Sequence, residues 1–234
     1  MERLRDYKAD DGTFQTWNIR SFNDPGPLYW DSPFFSVYEN VPTDRRNRYF
    51  GDITMRYRIT DKINISGSLR RDNFNQRIEE RIASGGLEED YYREYVIDGQ
   101  EDNYEVIGTY ADRFGDISLD ANLGGNLRQN RIRSNNAATV GGLNVPNLFT
   151  LGASIDRPTV SSFTQAKDVQ SVFGALNLGF RDYLYVGGTL RNDWSSSLPV
   201  ENNSYLYPSG NVSFVFSELL GLDVLTYGKL RASV

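Results

Sequence analysis

Period-two alternation constrains this chain more than any other feature. Ile53, Met55, Tyr57 and Ile59 fall on one side of an extended backbone, and Asp52, Thr54, Arg56 and Arg58 on the other. Successive side chains of a strand point to opposite faces, so such a run builds a sheet with one apolar and one polar face. Beyond a tight turn at Asp61-Lys62, Ile63, Ile65, Gly67 and Leu69 alternate with Asn64, Ser66, Ser68 and Arg70. Further on, Ile117, Leu119, Ala121 and Leu123 oppose Asp116, Ser118, Asp120 and Asn122.

Read this way, the chain predicts eight strands in four hairpins. The hairpins cover residues 49–60 with 63 to about 72, 103–112 with 116–127, 167–180 with 183–193, and 206–216 with about 224–234. Each closes through a short turn, as at Arg113-Phe114-Gly115 and Arg181-Asp182, the last one across residues 218–223. The connections between hairpins are longer and polar, roughly residues 73–101 and 129–166 among them. Residues 91–97 have strand character, but a ninth strand would put a long loop on the short-turn side, so they are assigned to the loop. Residues 141–149 are too apolar to stand free in water and are expected to pack.

Short turns at one end and long loops at the other is the layout of an outer-membrane barrel. Strand length agrees. Residues 183–193, at about 3.3 Å each and a tilt near 45°, rise roughly 25 Å, the height of the apolar band of such a barrel. Aromatics fall near the strand ends, where interfacial girdles belong: Phe114, Phe180 and Tyr183 by short turns, Tyr49, Phe50, Trp194, Tyr205 and Tyr207 by the loops. The expected fold class is all-β, a partial transmembrane β-barrel of antiparallel up-and-down strands, about eight strands of a larger barrel. Residues 1–46 read as an irregular segment and residues 47–234 as the barrel portion. Arg56, Arg58, Arg70, Asp120 and Asn122, on the polar face, are expected to face the lumen.

Composition narrows function. Cysteine and histidine are both absent, which removes thiolate sites, the commonest general base and the commonest zinc ligand. The net charge of −6 argues against a nucleic-acid binder held by phosphate contacts. No run approaches the roughly 18 apolar residues of a spanning helix. The N-terminus lacks an apolar leader, and residues 228–234 stop inside a strand-like pattern, which suggests a piece of a longer protein.

The segment Arg191-Asn192-Asp193-Trp194-Ser195-Ser196, followed by Leu198-Pro199, Tyr205 through Tyr207-Pro208-Ser209, Phe216-Ser217-Glu218 and Lys229-Leu230-Arg231-Ala232-Ser233, resembles the SusC/RagA family of TonB-dependent outer-membrane transporters. Other blocks follow in the same order: Leu28-Tyr29-Trp30, with Leu28 where the family has Pro, then Arg48-Tyr49-Phe50-Gly51-Asp52, Phe114-Gly115-Asp116 through Gly124-Gly125-Asn126, and Val145-Pro146-Asn147-Leu148. The resemblance spans about residues 28–234. It implies a middle slice of a barrel of roughly 22 strands, in the bacterial outer membrane. It implies import of oligosaccharides or oligopeptides, energised by TonB through a plug that has no counterpart here, under a SusD-like surface lipoprotein. No cofactor or metal is implied.

The residues carry little sign of catalysis. Ser195-Ser196-Ser197 has no histidine to activate it and no nucleophile elbow. Glu88, Glu89, Asp90, Asp98, Glu101 and Asp102 fit no Ca²⁺ loop spacing and read as a solvated acidic loop. Trp194 reads as an anchor in preference to a substrate contact, and Arg191 with Asp193 as a charge pair at a strand end. Two rivals stay open: a complete small outer-membrane barrel serving as adhesin or scaffold, and a soluble β-protein binding glycans through its aromatics.

Overall fold

The computed structural model describes residues 6–220 and 227–234. A small hairpin, β1 (Ile19–Ser21) with β2 (Asp24–Pro27), and a short helix, α1 (Pro33–Tyr38), precede the main sheet. Pro33 suits the first helical turn, where its missing N–H costs nothing, and the Ser32 side chain accepts from the Phe34 amide. The sheet itself comprises β3 (Thr43–Arg58), β4 (Ile63–Ile82), β5 (Tyr91–Phe114), β6 (Ile117–Ala138), β7 (Thr159–Phe180), β8 (Leu184–Ser195), β9 (Ser204–Phe214) and β10 (Leu230–Ser233). A short helix, α2 (Ser217–Leu220), follows β9. The strand order is β10-β9-β8-β7-β6-β5-β4-β3, a continuous eight-stranded meander with β3 and β10 at its two ends. The fold is all-β and antiparallel, with each strand beside its sequence neighbour. No helix among the described residues is long and apolar enough to cross a membrane.

Turn chemistry fixes the hairpins. Between β5 and β6 only Gly115 and Asp116 intervene, and Gly115 holds φ +60°, which a residue without Cβ adopts freely. Between β7 and β8, Arg181 and Asp182 hold φ 47° and 61°. Ion pairs flank these bends, Arg181 Nε to Asp116 Oδ2 at 2.7 Å and Arg113 Nη2 to Asp182 Oδ2 at 2.6 Å.

The strands are longer than the alternation indicates. Residues 73–82, 91–101, 129–138 and 159–166, expected in loops, are strand. Residues 91–97 form the start of β5, so the count of eight strands is unchanged. Hydropathy alternation fades there because both faces carry polar groups, yet the ladder continues. Arg77 with Glu94, at 2.5 Å, lies on one face and Arg93 with Glu80, at 3.2 Å, on the other. Asn75 donates to Asp98 at 2.7 Å. Cross-strand polar pairs of this kind stabilise a ladder as apolar pairs do. Smaller shifts occur at the end of the chain. The strand expected at 206–216 runs Ser204–Phe214, and that expected at 224–234 is Leu230–Ser233, with residues 224–226 outside the described ones.

Two compact units share these strands. One, the loop unit, comprises residues 6–48, Phe74–Gly99 and Ile132–Gln165; the other, the wall unit, comprises Tyr49–Asn73, Gln100–Arg131 and the described residues from Ala166 on. In the loop unit, Phe35 is 2 % exposed and meets Phe14 edge-on at 4.3 Å. Residues 139–158 do pack: Leu143, Tyr92 and Ala153 are buried together, with Phe149 and Leu151 against them. Hydrogen bonds pin this segment, with Thr139 N donating to Tyr92 O at 2.9 Å, Leu143 N to Asp90 Oδ1 at 2.7 Å and Ser84 N to Asn147 Oδ1 at 2.9 Å.

Candidate functional site

Register decides what each face of the wall unit offers. Across β7 and β8, Val172 pairs with Asn192, Gly174 with Leu190, Leu176 with Gly188, Leu178 with Val186 and Phe180 with Leu184. Leu190 in turn pairs with Pro208, Asn192 with Leu206, Val186 with Val212, and Phe214 with Leu230. Directly paired residues share a face. The same face carries one large apolar side chain on every strand: Met55, Leu69, Val106, Leu123, Leu176, Leu190, Leu206 and Leu230, each 47–74 % exposed. A soluble monomer rarely shows so broad an apolar surface to water.

This apolar face has defined limits. Toward the short turns it ends in an edge-to-face aromatic series, Phe180 to Tyr183 at 5.6 Å and Tyr183 to Phe214 at 6.2 Å. Toward the long loops it ends in two bidentate ion pairs on residues of the same face. Arg71 Nε meets Asp102 Oδ1 at 2.6 Å, and Arg131 Nη1 meets Asp168 Oδ1 at 2.6 Å. Trp194, paired with Gln170, stands just inside that charged limit, 38 % exposed. The ten residues between Gln170 and Phe180 rise roughly 23 Å at the usual strand rise and tilt.

The opposite face is polar and hydrogen-bonded. Arg191 makes three contacts on it. Its Nε donates to Asp193 Oδ1 at 2.7 Å, its Nη2 to Ser171 Oγ at 3.0 Å, and its guanidinium lies 5.6 Å from the centre of the Phe173 ring. Phe173 lies over Gly124, where a Cβ would come within 2.5 Å of the ring. Tyr207 pairs with Arg191 and Tyr205 with Asp193, so both tyrosines belong to this polar face. Expectation had put them in an interfacial girdle beside Trp194. Leu206, between them, takes the apolar face instead. Thr189 and Ser209 hydroxyls meet at 2.6 Å, and Arg231 pairs with Ser213. Lys229 Nζ lies 5.7 Å from the Tyr185 ring.

The other singled-out residues fall as follows. Arg70 Nη2 meets Glu105 Oε1 at 3.1 Å, and Thr54 meets Ser68 at 3.0 Å, which puts Arg56 and Arg58 on the polar side with Thr54 by alternation. Asp120 and Asn122 share the parity of Gly124 and of Ser118, which crowds the Cβ position of Gly179. Pro208 and Leu230 are on the apolar face, opposite Leu190 and Phe214. Ser195 Oγ and Ser197 Oγ meet at 2.9 Å, and Ser196 Oγ accepts from Asp168 N at 2.8 Å, so Ser196 closes the loop end. Among the described residues no group of three or more acidic, His or Cys side chains is disposed to hold a metal ion. Of the acidic loop residues, Asp90 accepts from Leu143 N, Asp98 from Asn75 and Asp102 from Arg71.

Sequence reasoning missed one polar cluster, in the loop unit. Glu79 accepts from Thr43 Oγ1 at 2.8 Å, from Tyr92 OH at 2.9 Å and from Arg81 Nη2 at 2.9 Å, and Arg77 Nε lies 3.3 Å away. Its residues lie in stretches taken for loop or terminal segment, and only the register unites them. The Thr43 hydrogen bond holds the Glu79 carboxyl below its ordinary value of 4.5; burial pushes the other way, and Tyr92, Arg81 and Arg77 add to the lowering. A depressed carboxyl pKa contributes stability above the ordinary range that is lost as pH falls through the folded value. Protection of backbone amides in residues 74–82 against hydrogen exchange is therefore expected to fall on acidification below about pH 4.5. Glu79→Gln should flatten that dependence; an unchanged pH profile in the variant would remove Glu79 as its source.

No family model matches the sequence, and no curated protein matches it. Solved structures do match in fold. One described as the RagAB peptide transporter superposes with a TM-score of 0.81 at 15 % identity, over 91 % of this chain and 24 % of that chain. The RagAB peptide importer in its closed-closed state gives 0.81 at 15 % identity, over 96 % and 26 %. Its open-open state gives 0.80 at 15 % identity, over 96 % and 25 %. The chain thus spans about a quarter of the length of these transporter chains and shares the fold of that quarter.

Proposed function

We propose that this chain is a stretch of wall from a TonB-dependent outer-membrane importer of oligopeptides or oligosaccharides. The observation that carries the reading is the two-faced sheet. One face shows an apolar surface roughly 23 Å high between an aromatic and a charged limit, which suits lipid. The other presents Arg191, Asp193, Tyr205, Tyr207, Arg70 and their partners, which suits a wet lumen. The fold likeness to the RagAB peptide importers supports the peptide option. In this reading the polar face lines the solute path, the segment 139–158 is an ordered extracellular loop, and a SusD-like surface lipoprotein covers the loops. TonB acts through a plug supplied elsewhere in the barrel. The chain makes and breaks no bonds and does not transport by itself, because its two terminal strands need neighbours in lipid.

These 234 residues carry no cysteine, so only cysteines elsewhere in the full-length protein need replacing by serine before the test. Single cysteines at Thr189, Ser209 and Asn211 in the full chain, in intact outer membrane, should react with a membrane-impermeant maleimide. Cysteines at Leu176, Leu190 and Val212 should not. Equal labelling of both sets would sink the reading. Uptake of labelled oligopeptides should also stop when TonB is deleted, and uptake that continues would dismiss the energised mechanism.

A further inference from the structure

The apolar face of the wall unit is not smooth. Gly174 and Gly188 both lie on it, opposite Leu190 and Leu176. With no side chain at either position, a notch of about 570 Å³ opens, walled by Leu123, Leu176, Leu190, Leu206 and Trp194. Neither glycine holds a positive φ. A Cβ on Gly188 would sit at an ordinary 3.6 Å from Ser209 O, so backbone geometry does not demand glycine there. A mid-strand glycine without a conformational reason often marks a close approach by another group.

The dimensions of the notch identify what approaches. It runs from Gly188 to Trp194, six residues along β8, or roughly 14 Å along the membrane normal at the usual rise and tilt. That is a little over half of the roughly 23 Å apolar span, about one leaflet. Its lining is mostly apolar, with Asn122, Thr189 and Ser209 also touching it. One end of the notch reaches Asn192, whose amide exchanges hydrogen bonds with Ser204 Oγ at 2.9 and 3.2 Å. Just beyond stands the Arg131–Asp168 pair. An apolar trough one leaflet long, capped by amide, indole and ionic groups, matches an acyl chain whose ester and headgroup lie at the cap.

We propose that this notch holds one acyl chain of a lipid of the surrounding leaflet as a resident lipid, seated beside Trp194, with phosphatidylcholine as the probe. The proposal rests on the reading of this face as lipid-facing, and the test separates the two. The full-length protein, with every tryptophan but Trp194 replaced by phenylalanine, Trp17 and Trp30 among them, is reconstituted in dioleoyl phosphatidylcholine vesicles and in vesicles of its chain-brominated form. Bound lipid is then counted by native mass spectrometry after extraction into detergent. Bromine is expected to quench Trp194, and one phosphatidylcholine is expected to survive extraction. Gly188→Leu, which fills the notch, should lower that occupancy by about tenfold, the order seen when an apolar pocket changes by a few methylene groups. Gly188→Ala, the variant least disturbing to folding, should lower it less, and Asn211→Leu on the polar face should leave it unchanged. Quenching without a retained lipid, or equal retention in Gly188→Leu, overturns the notch while leaving the lipid-facing reading. Unquenched Trp194 overturns both.

Discussion

Leu190→Arg will keep the full chain out of the membrane, while Thr189→Arg, one residue earlier, will not. The two positions are adjacent in β8 and lie on opposite faces. Leu190 is 53 % exposed on the apolar face, level with Gly174 and well within the span from Phe180 to Trp194. An arginine on the lipid face near the bilayer middle costs about 2–4 kcal/mol in outer-membrane barrels, and the same residue in a wet lumen costs little. Thr189 would lose its hydroxyl contact with Ser209, an interaction worth about 1 kcal/mol or less net. The measurement is the fraction of each variant in folded, protease-resistant form in the outer membrane. Equal insertion of the two variants would remove the basis for assigning the faces. Trp194→Ala belongs to the same series: a moderate loss of insertion with solute preference unchanged, since its ring stands on the apolar face.

Tyr92→Ala has the next largest expected effect, and a local one. Tyr92 is 3 % exposed, packs with Leu143 and Ala153, and donates its hydroxyl to Glu79 at 2.9 Å. Truncating a buried aromatic costs about 3–5 kcal/mol through lost contacts and the cavity left behind. The cluster is small, so the cost falls on the segment it holds, residues 139–158. Chymotrypsin should then cut at Leu148 or Phe149 in folded Tyr92→Ala but not in the parent, with insertion unaffected. Tyr92→Phe keeps the ring and loses only the Glu79 hydrogen bond, so it should resist cleavage nearly as well as the parent. If the alanine variant stays uncut, the Leu143 cluster is not what orders the segment. In the proposed importer an ordered loop presents a fixed surface to solute, so replacing residues 139–158 between β6 and β7 is also the most direct probe of preference.

The strands were legible where their two faces meet different media. Ile53 to Ile59 and Ile117 to Leu123 show it, since the residues of an apolar and a polar face must then differ in kind. Past Asn73 and before Asn103 that contrast disappears, and β4 and β5 read as loop. Their continuation rests on pairs such as Arg77 with Glu94, which become visible only once register brings them together. The same limit explains Tyr205 and Tyr207. Position near a loop suggested a girdle, while the single apolar residue between them, Leu206, already carried the parity that turns both tyrosines the other way. Arg56, Arg58, Arg70 and Asp120 were placed on the polar face by alternation, whereas Arg191 and Asp193 stood out as a strand-end charge pair in the segment that carries the family resemblance. The Glu79 cluster and the glycine notch were not, because neither has any local pattern in the chain.

The strict alternation across the wall has an evolutionary consequence. In the proposed importer each strand of the wall carries two interleaved texts, one read by lipid and one by water and solute, and point substitutions edit them separately. There, residues such as Thr189, Arg191, Ser209 and Asn211 can drift toward new solutes without disturbing membrane fit. A single-residue insertion within β8 is different, because it exchanges the two texts from that point onward. Length changes are therefore confined to the connections, while specificity is free to change within the strands themselves.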